Sequence, residues 1–188
     1  MLPRLLSPLR SAVFFLWLVV TVIPWATVVV IASPIVSSTT LYWMCANWLK
    51  QSIWAARWIC GVRWRVRGME NVPPASDGQA AVLLAPKHQS TWETFALPTL
   101  MPHPLAYVFK RELLYIPFFG WAMGRLDMIH IDRSQRARAF NKVVQQGKRL
   151  LEQGVWIIMF PEGTRIPRGQ KGQYKTGGSR LEIGRAHV

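Results

Sequence analysis

A histidine and a glutamate share the run His88-Gln89-Ser90-Thr91-Trp92-Glu93, and an acid, a glycine and an arginine share Phe160-Pro161-Glu162-Gly163-Thr164-Arg165. A carboxylate bonded to one imidazole nitrogen fixes the tautomer and stabilises the imidazolium. The other nitrogen can then take a proton from a hydroxyl. In the second run, glycine lets the backbone approach a ligand, and arginine can grip a phosphate in a bidentate way. Together the two runs suggest acyl transfer onto a phosphorylated alcohol. Taken singly, each also has a plain reading: a helix-capping histidine with an unrelated surface glutamate, and a strand-ending turn with a solvated arginine. Lys110, Arg111 and Arg133 follow predicted strands, and a parallel sheet would gather them with Arg165 around one anion pocket. His103 and His130 have no partner of suitable spacing and read as structural. No cluster has the types and spacing of metal ligands, and the nucleophile-elbow pattern of hydrolases is absent.

The elements that must position these residues form an α/β pattern, in which short apolar runs alternate with helical periodicity. Strands are expected at residues 62–67, 80–85, 105–109, 128–131 and 155–160, the last uninterrupted and suited to a sheet centre. Pro86 ends the second of these, so His88 stands just past a strand end, where open α/β sheets place their sites. Helices are expected at 90–100, with Ser90 as cap and Glu93 on the first turn, and over 117–126. A third is capped by Ser134, carries Phe140, Val143, Val144, Leu150 and Leu151 on one face, and stops at Gly154. Residues 163–178 are glycine-rich and basic and read as a loop. The expected fold is α/β, a mixed, mostly parallel sheet flanked by helices, over residues 62–182.

Residues 1–61 differ in texture. The chain has 188 residues, 51% hydrophobic, yet carries a formal net charge of +14 and ten tryptophans. Nucleic acid and an anionic membrane surface are both acidic partners for such a charge, and the tryptophans favour the membrane, because indole sits well at the headgroup boundary. Residues 12–32 hold no charge and are long enough for a bilayer core of roughly 30 Å. Arg4 and Arg10 precede them and place the N-terminus on the cytoplasmic side. Pro24 is expected to kink this helix or turn it back. Residues 42–61 form a second helix, with Leu49, Ile53, Ala56 and Cys60 on one face and Asn47, Lys50 and Gln51 on another. It reads as interfacial or as an imperfect membrane segment, against a plainer reading as a helix packed on the soluble core.

On these residues the chain resembles the 1-acyl-sn-glycerol-3-phosphate acyltransferases, the lysophosphatidate acyltransferases of bacterial membranes. Of the family's blocks, the histidine–acid pair resembles His88 to Glu93. A second resembles Lys110-Arg111-Glu112-Leu113 through Pro117, Gly120 and Trp121 to Ile131-Asp132-Arg133. A third is matched by Phe160 to Arg165. The acid of the first block is Glu93 where the family has aspartate, and the fourth block, a proline-containing strand, does not occur. The resemblance implies transfer of a fatty acyl group from a thioester to the 2-hydroxyl of lysophosphatidate, giving phosphatidate. His88 would be the base and Glu93 its orienting partner. Arg165, Lys110, Arg133, Glu162, Gly163 and Thr164 would form the phosphate site. No cofactor is implied, only acyl-CoA or acyl carrier protein as co-substrate. The implied surroundings are anionic lipids of the bacterial inner membrane, with the site on the cytoplasmic side and no nucleic acid. The rivals are a sister acyltransferase using another lysolipid or glycerol 3-phosphate, and a non-enzymatic basic binding protein. Binding alone needs no base, so the His88–Glu93 pair counts against the last.

The resemblance fades at Ile183-Gly184-Arg185-Ala186-His187-Val188. This tail reads as a translation of a common short-read sequencing adapter (ATC GGA AGA GCA CAC GTC), whose next codon is a stop. The expectation is that residues 183–188 are not native, and that a missing segment with the fourth block and a further strand leaves the 188-residue chain poorly soluble and inactive. Resequencing the source DNA across the Arg180 codon should give a different continuation. A genuine gene reading Ile183 to Val188 and then stopping would refute the idea.

Overall fold

The computed structural model describes residues 2–74, 81–132 and 136–174, and the side chains of all of these except residues 2–5 and 136–140. Two long helices come first: α1 (Leu2–Ala32) and α2 (Ser38–Cys60). Ser37 caps α2 by accepting from the Thr40 N–H, and Gly61 ends it at φ 74°. The two run antiparallel. Trp25 Nε1 donates to the Met44 carbonyl at 2.8 Å, Trp48 Nε1 donates to Thr21 Oγ1 at 3.1 Å, and Cys60 Sγ lies 3.6 Å from the Arg10 carbonyl oxygen. Pro24 does not turn α1 back; the helix runs on through it to Ala32. One stretch, Leu6–Ala32, is long and apolar enough to cross a membrane.

The rest of the described chain is built on a four-stranded sheet in the order β1-β4-β2-β3: β1 (Leu83–Leu84), β2 (Leu105–Lys110), β3 (Ile129–Ile131) and β4 (Trp156–Ile158). Every pairing among these strands is parallel. β4 is interior, which explains its unbroken apolar run: Trp156, Ile157 and Ile158 are all fully buried. The linking helices are α3 (Trp92–Leu100), α4 (Phe119–Met123) and α5 (Arg136–Glu152). Val143, Leu150 and Leu151 of α5 pack on the sheet core, and Gly154 ends that helix's exit at φ 77°. The capping position expected at Ser134 lies outside the described residues.

One expected strand is not there. Residues 62–67 are extended but pair with no described strand. Their alternation puts Arg63, Arg65 and Arg67 in solvent. On the other side Trp64 packs against Trp54 and Trp92, and the Arg57 guanidinium sits 5.6 Å over its ring. A period of two specifies sidedness, not a ladder partner, and here aromatic packing holds the segment instead. The strand expected at 80–85 is shorter, Leu83–Leu84, with Ala80 outside the described residues. The plain reading of α2 holds in part. Tyr42 and Ala46 join the sheet's core cluster, and the Tyr42 hydroxyl donates to the Pro98 carbonyl, while Trp54 and Trp58 stay exposed.

The turn into α4 is tight. Phe118 adopts φ 61°, and a Cβ on Gly120 would meet the carbonyl oxygens of Leu113 and Leu114 at 2.5 Å. Those are backbone atoms and cannot swing away. Gly120→Ala should therefore destabilise the fold by about 1–3 kcal/mol, the usual cost of overpacking. Denaturant unfolding in detergent checks this; an unchanged midpoint would show that the turn yields.

Candidate active site

The parallel sheet carries its strand ends to one edge, and the neighbours there are β1 and β4, with Leu84 opposite Ile158. Residues just past these strands therefore meet. The His88 imidazole stacks on Phe160 at 4.0 Å between ring centroids. Its Nδ1 lies 3.1 Å from Glu93 Oε1, and both side chains are largely shielded from water. With Nδ1 engaged by a carboxylate, Nε2 is the nitrogen left with a lone pair, and His88 lines the cavity described below.

The extra methylene of Glu93 has a use. The N-cap of α3 is Thr91, not the expected Ser90, and its side chain makes no capping bond; instead the Ser90 N–H donates to Glu93 Oε1 at 2.6 Å, and Ser90 Oγ accepts from the Trp92 N–H at 3.1 Å. The Gln89 N–H and the Ser90 hydroxyl also donate to this carboxylate. Burial alone would raise the Glu93 acid, but these hydrogen bonds outweigh it and hold the carboxyl down to about 2. Glu93 is thus ionised throughout the range in which a histidine base operates, and the imidazolium formed on proton transfer always has its counter-charge.

The third motif wraps around His88. Glu162 is buried, and its Oε2 accepts from the His88 N–H at 2.7 Å. The Ile166 N–H donates to the His88 carbonyl at 2.8 Å. Gly163, at φ 64°, turns the chain between them. Gly163, Thr164 and Arg165 line the cavity, and so does Lys110 at the end of β2. Glu162 is not among the lining residues; its carboxylate faces the backbone of His88. Arg133 lies outside the described residues. Arg111 stands 3.9 Å from Asp132.

Sequence reasoning missed Lys87, whose ammonium lies 3.8 Å from Glu162 Oε1 and donates to the Gln170 carbonyl. It also missed Tyr107, which lines the cavity and donates to the Thr94 carbonyl at 3.1 Å. Burial raises the Tyr107 phenol well above its usual range, so it stays a neutral donor. Position just past a strand end, the signal that found His88, would have found Lys87; nothing local marks Tyr107. Both remaining histidines of the described part have partners. His103 stacks on Trp156 at 4.3 Å, and His130 accepts from Lys142 at 2.8 Å. Desolvation, then the charges of Lys142 and Arg111, lower the His130 pKa and keep it neutral.

The cavity holds about 1370 Å³, above the usual range for small-molecule pockets. Its polar lining includes His88, Thr91, Thr94, Tyr107, Lys110, Thr164 and Arg165. Most of the rest is apolar, including Val22, Trp25, Ala26 and Val29 of α1, Ala46 of α2 and Met123 of α4. A proton acceptor and two cations therefore face one space that continues into a hydrocarbon-lined bore.

Comparison with known proteins agrees with this arrangement. The acyltransferase family model matches residues 63–183. Over 176 residues the chain is 43% identical to the 1-acyl-sn-glycerol-3-phosphate acyltransferase of Pseudomonas aeruginosa, covering 93% of this chain and 66% of that protein. It is 31% identical over 127 residues to the human 1-acyl-sn-glycerol-3-phosphate acyltransferase alpha, covering 68% of this chain and 44% of the relative. The crystal structure of the 1-acyl-sn-glycerophosphate (LPA) acyltransferase from Thermotoga maritima superposes with a TM-score of 0.71 at 20% identity, covering 95% of this chain and 70% of that one. The chain thus spans just under two thirds of its Pseudomonas relative and under half of the human one. On the family match and on the geometry of His88, Glu93 and the 160–166 loop, this chain belongs to the acyltransferase family.

Proposed function

We propose that this protein transfers a fatty acyl group from a thioester to the 2-hydroxyl of lysophosphatidate, giving phosphatidate. One observation carries the reading: His88 and Arg165 line the same cavity, whose lining is otherwise mostly apolar. The substrate has the same three parts, namely a hydroxyl to be deprotonated, a phosphate and a hydrocarbon chain. Nε2 of His88 takes the proton of the hydroxyl as its oxygen attacks the thioester carbonyl. The tetrahedral intermediate collapses, the carbon–sulfur bond breaks, and the imidazolium returns its proton to the departing thiolate. No covalent acyl-enzyme and no cofactor is required; the donor is acyl-CoA or acyl carrier protein. Arg165 and Lys110 hold the phosphate, joined by Arg133, and Thr164 adds a hydroxyl.

The setting is the cytoplasmic face of the bacterial inner membrane. The exposed apolar stripe Leu6, Leu9, Val13, Leu16, Val20 and Ile23 gives α1 a lipid-facing side, and Trp54 and Trp58 extend it on α2. At 31 residues and about 1.5 Å each, α1 could cross the membrane. Near its far end, however, Ala26 and Val29 are buried with Ala122 of α4. The domain that holds His88 thus packs on the second half of α1, which supports a hairpin lying in one leaflet. Such a hairpin opens the bore toward the acyl chains.

Radiolabelled lysophosphatidate incubated with each donor and separated by thin-layer chromatography should give labelled phosphatidate. Because the chain covers 66% of the Pseudomonas relative, the assay is run on the chain and on a chimera completed with that relative's remaining segment. Product only from glycerol 3-phosphate would move the chain to a sister activity. In the active form, His88→Ala should lower turnover about 10²–10⁴-fold, the usual worth of a general base. Glu93→Gln should also be severe, since the imidazolium loses its counter-charge, and Glu93→Asp should keep much more activity. Equal damage from both would show that shape, not charge, is what Glu93 supplies. With Glu93 ionised down to pH of about 2, the acid limb of kcat/KM against pH should follow one ionisation, that of the base.

Arg165→Ala should raise the KM for lysophosphatidate far more than that for the donor. Arg165 is exposed in the free chain, so the loss reaches the order of 2–5 kcal/mol only where bound substrate desolvates the charge pair, on the order of magnitude usual for such pairs. A change confined to the donor KM would remove Arg165 from the phosphate site.

A further inference from the structure

Glu162 is the one acid of the third motif, yet its carboxylate does not face the cavity. Its side chain is 0% exposed, and a buried carboxylate is costly unless its oxygens are bonded or paired. One oxygen is committed to the His88 N–H; the other, among the described residues, makes no hydrogen bond and faces the Lys87 ammonium at 3.8 Å. Four residues later, the Ile166 N–H holds the carbonyl of the same histidine. The residues that grip His88 by its main chain, 162 and 166, therefore bracket the residues that face the anion end of the cavity, 163–165. Phe160, in the same loop, stacks on the imidazole. Packing keeps this bracket closed: a Cβ on Gly172 would meet Ile166 at 2.6 Å and Glu162 Cγ at 3.2 Å, so the following segment lies directly on both. Glu93 orients the imidazole ring, but the place of the ring's backbone is set by Glu162 and Ile166.

We propose that Glu162 is a positioning residue that couples occupancy of the phosphate site to the placement of the base. A phosphate held at 163–165 fixes the loop, and through Glu162 and Ile166 the loop fixes His88. The acceptor's phosphate would then raise turnover, and not only affinity. Coupling of this kind is reciprocal in binding free energy and is carried by a chain of direct contacts. The inference rests on the phosphate site proposed above.

Chemical labelling separates the two ideas and needs no turnover. The purified chain in detergent is treated with phenylglyoxal, which reports Arg165, and with diethyl pyrocarbonate, which reports His88. Inorganic phosphate is present or absent, and labelled peptides are counted by mass spectrometry. In the wild type, phosphate should protect Arg165 and change the His88 rate about fivefold or more, the low end of ordinary coupling. In Glu162→Ala, phosphate should still protect Arg165 while the His88 rate no longer responds. Glu162→Gln keeps an oxygen for the His88 N–H and should retain most of the response. Protection of Arg165 without any His88 response in the wild type overturns the coupling and leaves the phosphate site standing. Protection of neither overturns the site itself. A Glu162→Ala response equal to wild type also overturns the coupling, since phosphate would then act on the imidazole through charge alone. Should Glu162→Ala fail to fold, as thermal unfolding would show, the wild-type rates and Glu162→Gln still decide. In an active form the same variant should lower kcat for lysophosphatidate with little change in its KM; a KM effect alone would return Glu162 to substrate binding.

Discussion

Leu84 pairs with Ile158 in parallel register, and the working part of the molecule depends on that pairing. β1 is the shortest strand described, so its hold on the sheet comes from few bonds: the ladder and the flanking donations of Ile157 and Met159 to the carbonyls of Val82 and Leu84. A slip of one residue would reverse which side chains face the core and carry His88 away from Phe160. The loop bonds at 162 and 166 oppose such a slip, because they seize the backbone of His88 beyond the strand end. Strand pairing and loop bonds thus fix one residue from two sides. The buried β4, with Trp156, Ile157 and Ile158, is the rigid element against which both are referenced.

The chain's composition poses a conflict between 51% hydrophobic content and a charge of +14. The structure resolves it by separation. Apolar surface is spent on the hairpin, where Leu9, Leu16 and Val20 remain exposed, while Arg63, Arg65 and Arg67 stand in solvent just beyond the hairpin's open end. Trp64 bridges the regions by touching Trp54 of α2 and Trp92 of α3, next to Glu93. The apolar hairpin is therefore in direct packing contact with the helix that carries Glu93. The mostly apolar cavity is walled in part by both hairpin helices.

Much of the site could be read from the sequence because its parts are local. His88 and Glu93 lie within one turn entry, and Phe160 to Arg165 is a single run. The strands at 105–109, 128–131 and 155–160 appear at nearly those places, since continuous apolar runs of that length suit a sheet covered on both faces. What the sequence could not reveal depends on distance along the chain. Nothing near Glu162 announces that its carboxylate serves the amide of a residue 74 positions earlier. At 62–67 the alternation Arg-Trp-Arg-Val-Arg has the period of a half-buried strand. Period cannot say whether an edge is available, and Trp64 found aromatic partners instead.

The glutamate at position 93 shows how two local rules can share one side chain. An aspartate there would keep the charge near the imidazole, but its carboxylate would stand one methylene further from the Gln89 and Ser90 amides. The glutamate reaches back far enough to accept from both and from the Ser90 hydroxyl while still meeting Nδ1 of His88. The same bonds that gather the start of α3 therefore hold Glu93 ionised. Their linkage to pH has a definite sign. The folded pKa, about 2, lies below the ordinary glutamate value of roughly 4.3. The stabilisation is therefore present in full above that ordinary value and is lost as the pH falls through the folded one. Acid strong enough to protonate Glu93 would loosen the start of α3 and release the imidazole in one event, so the two cannot be lost separately by titration.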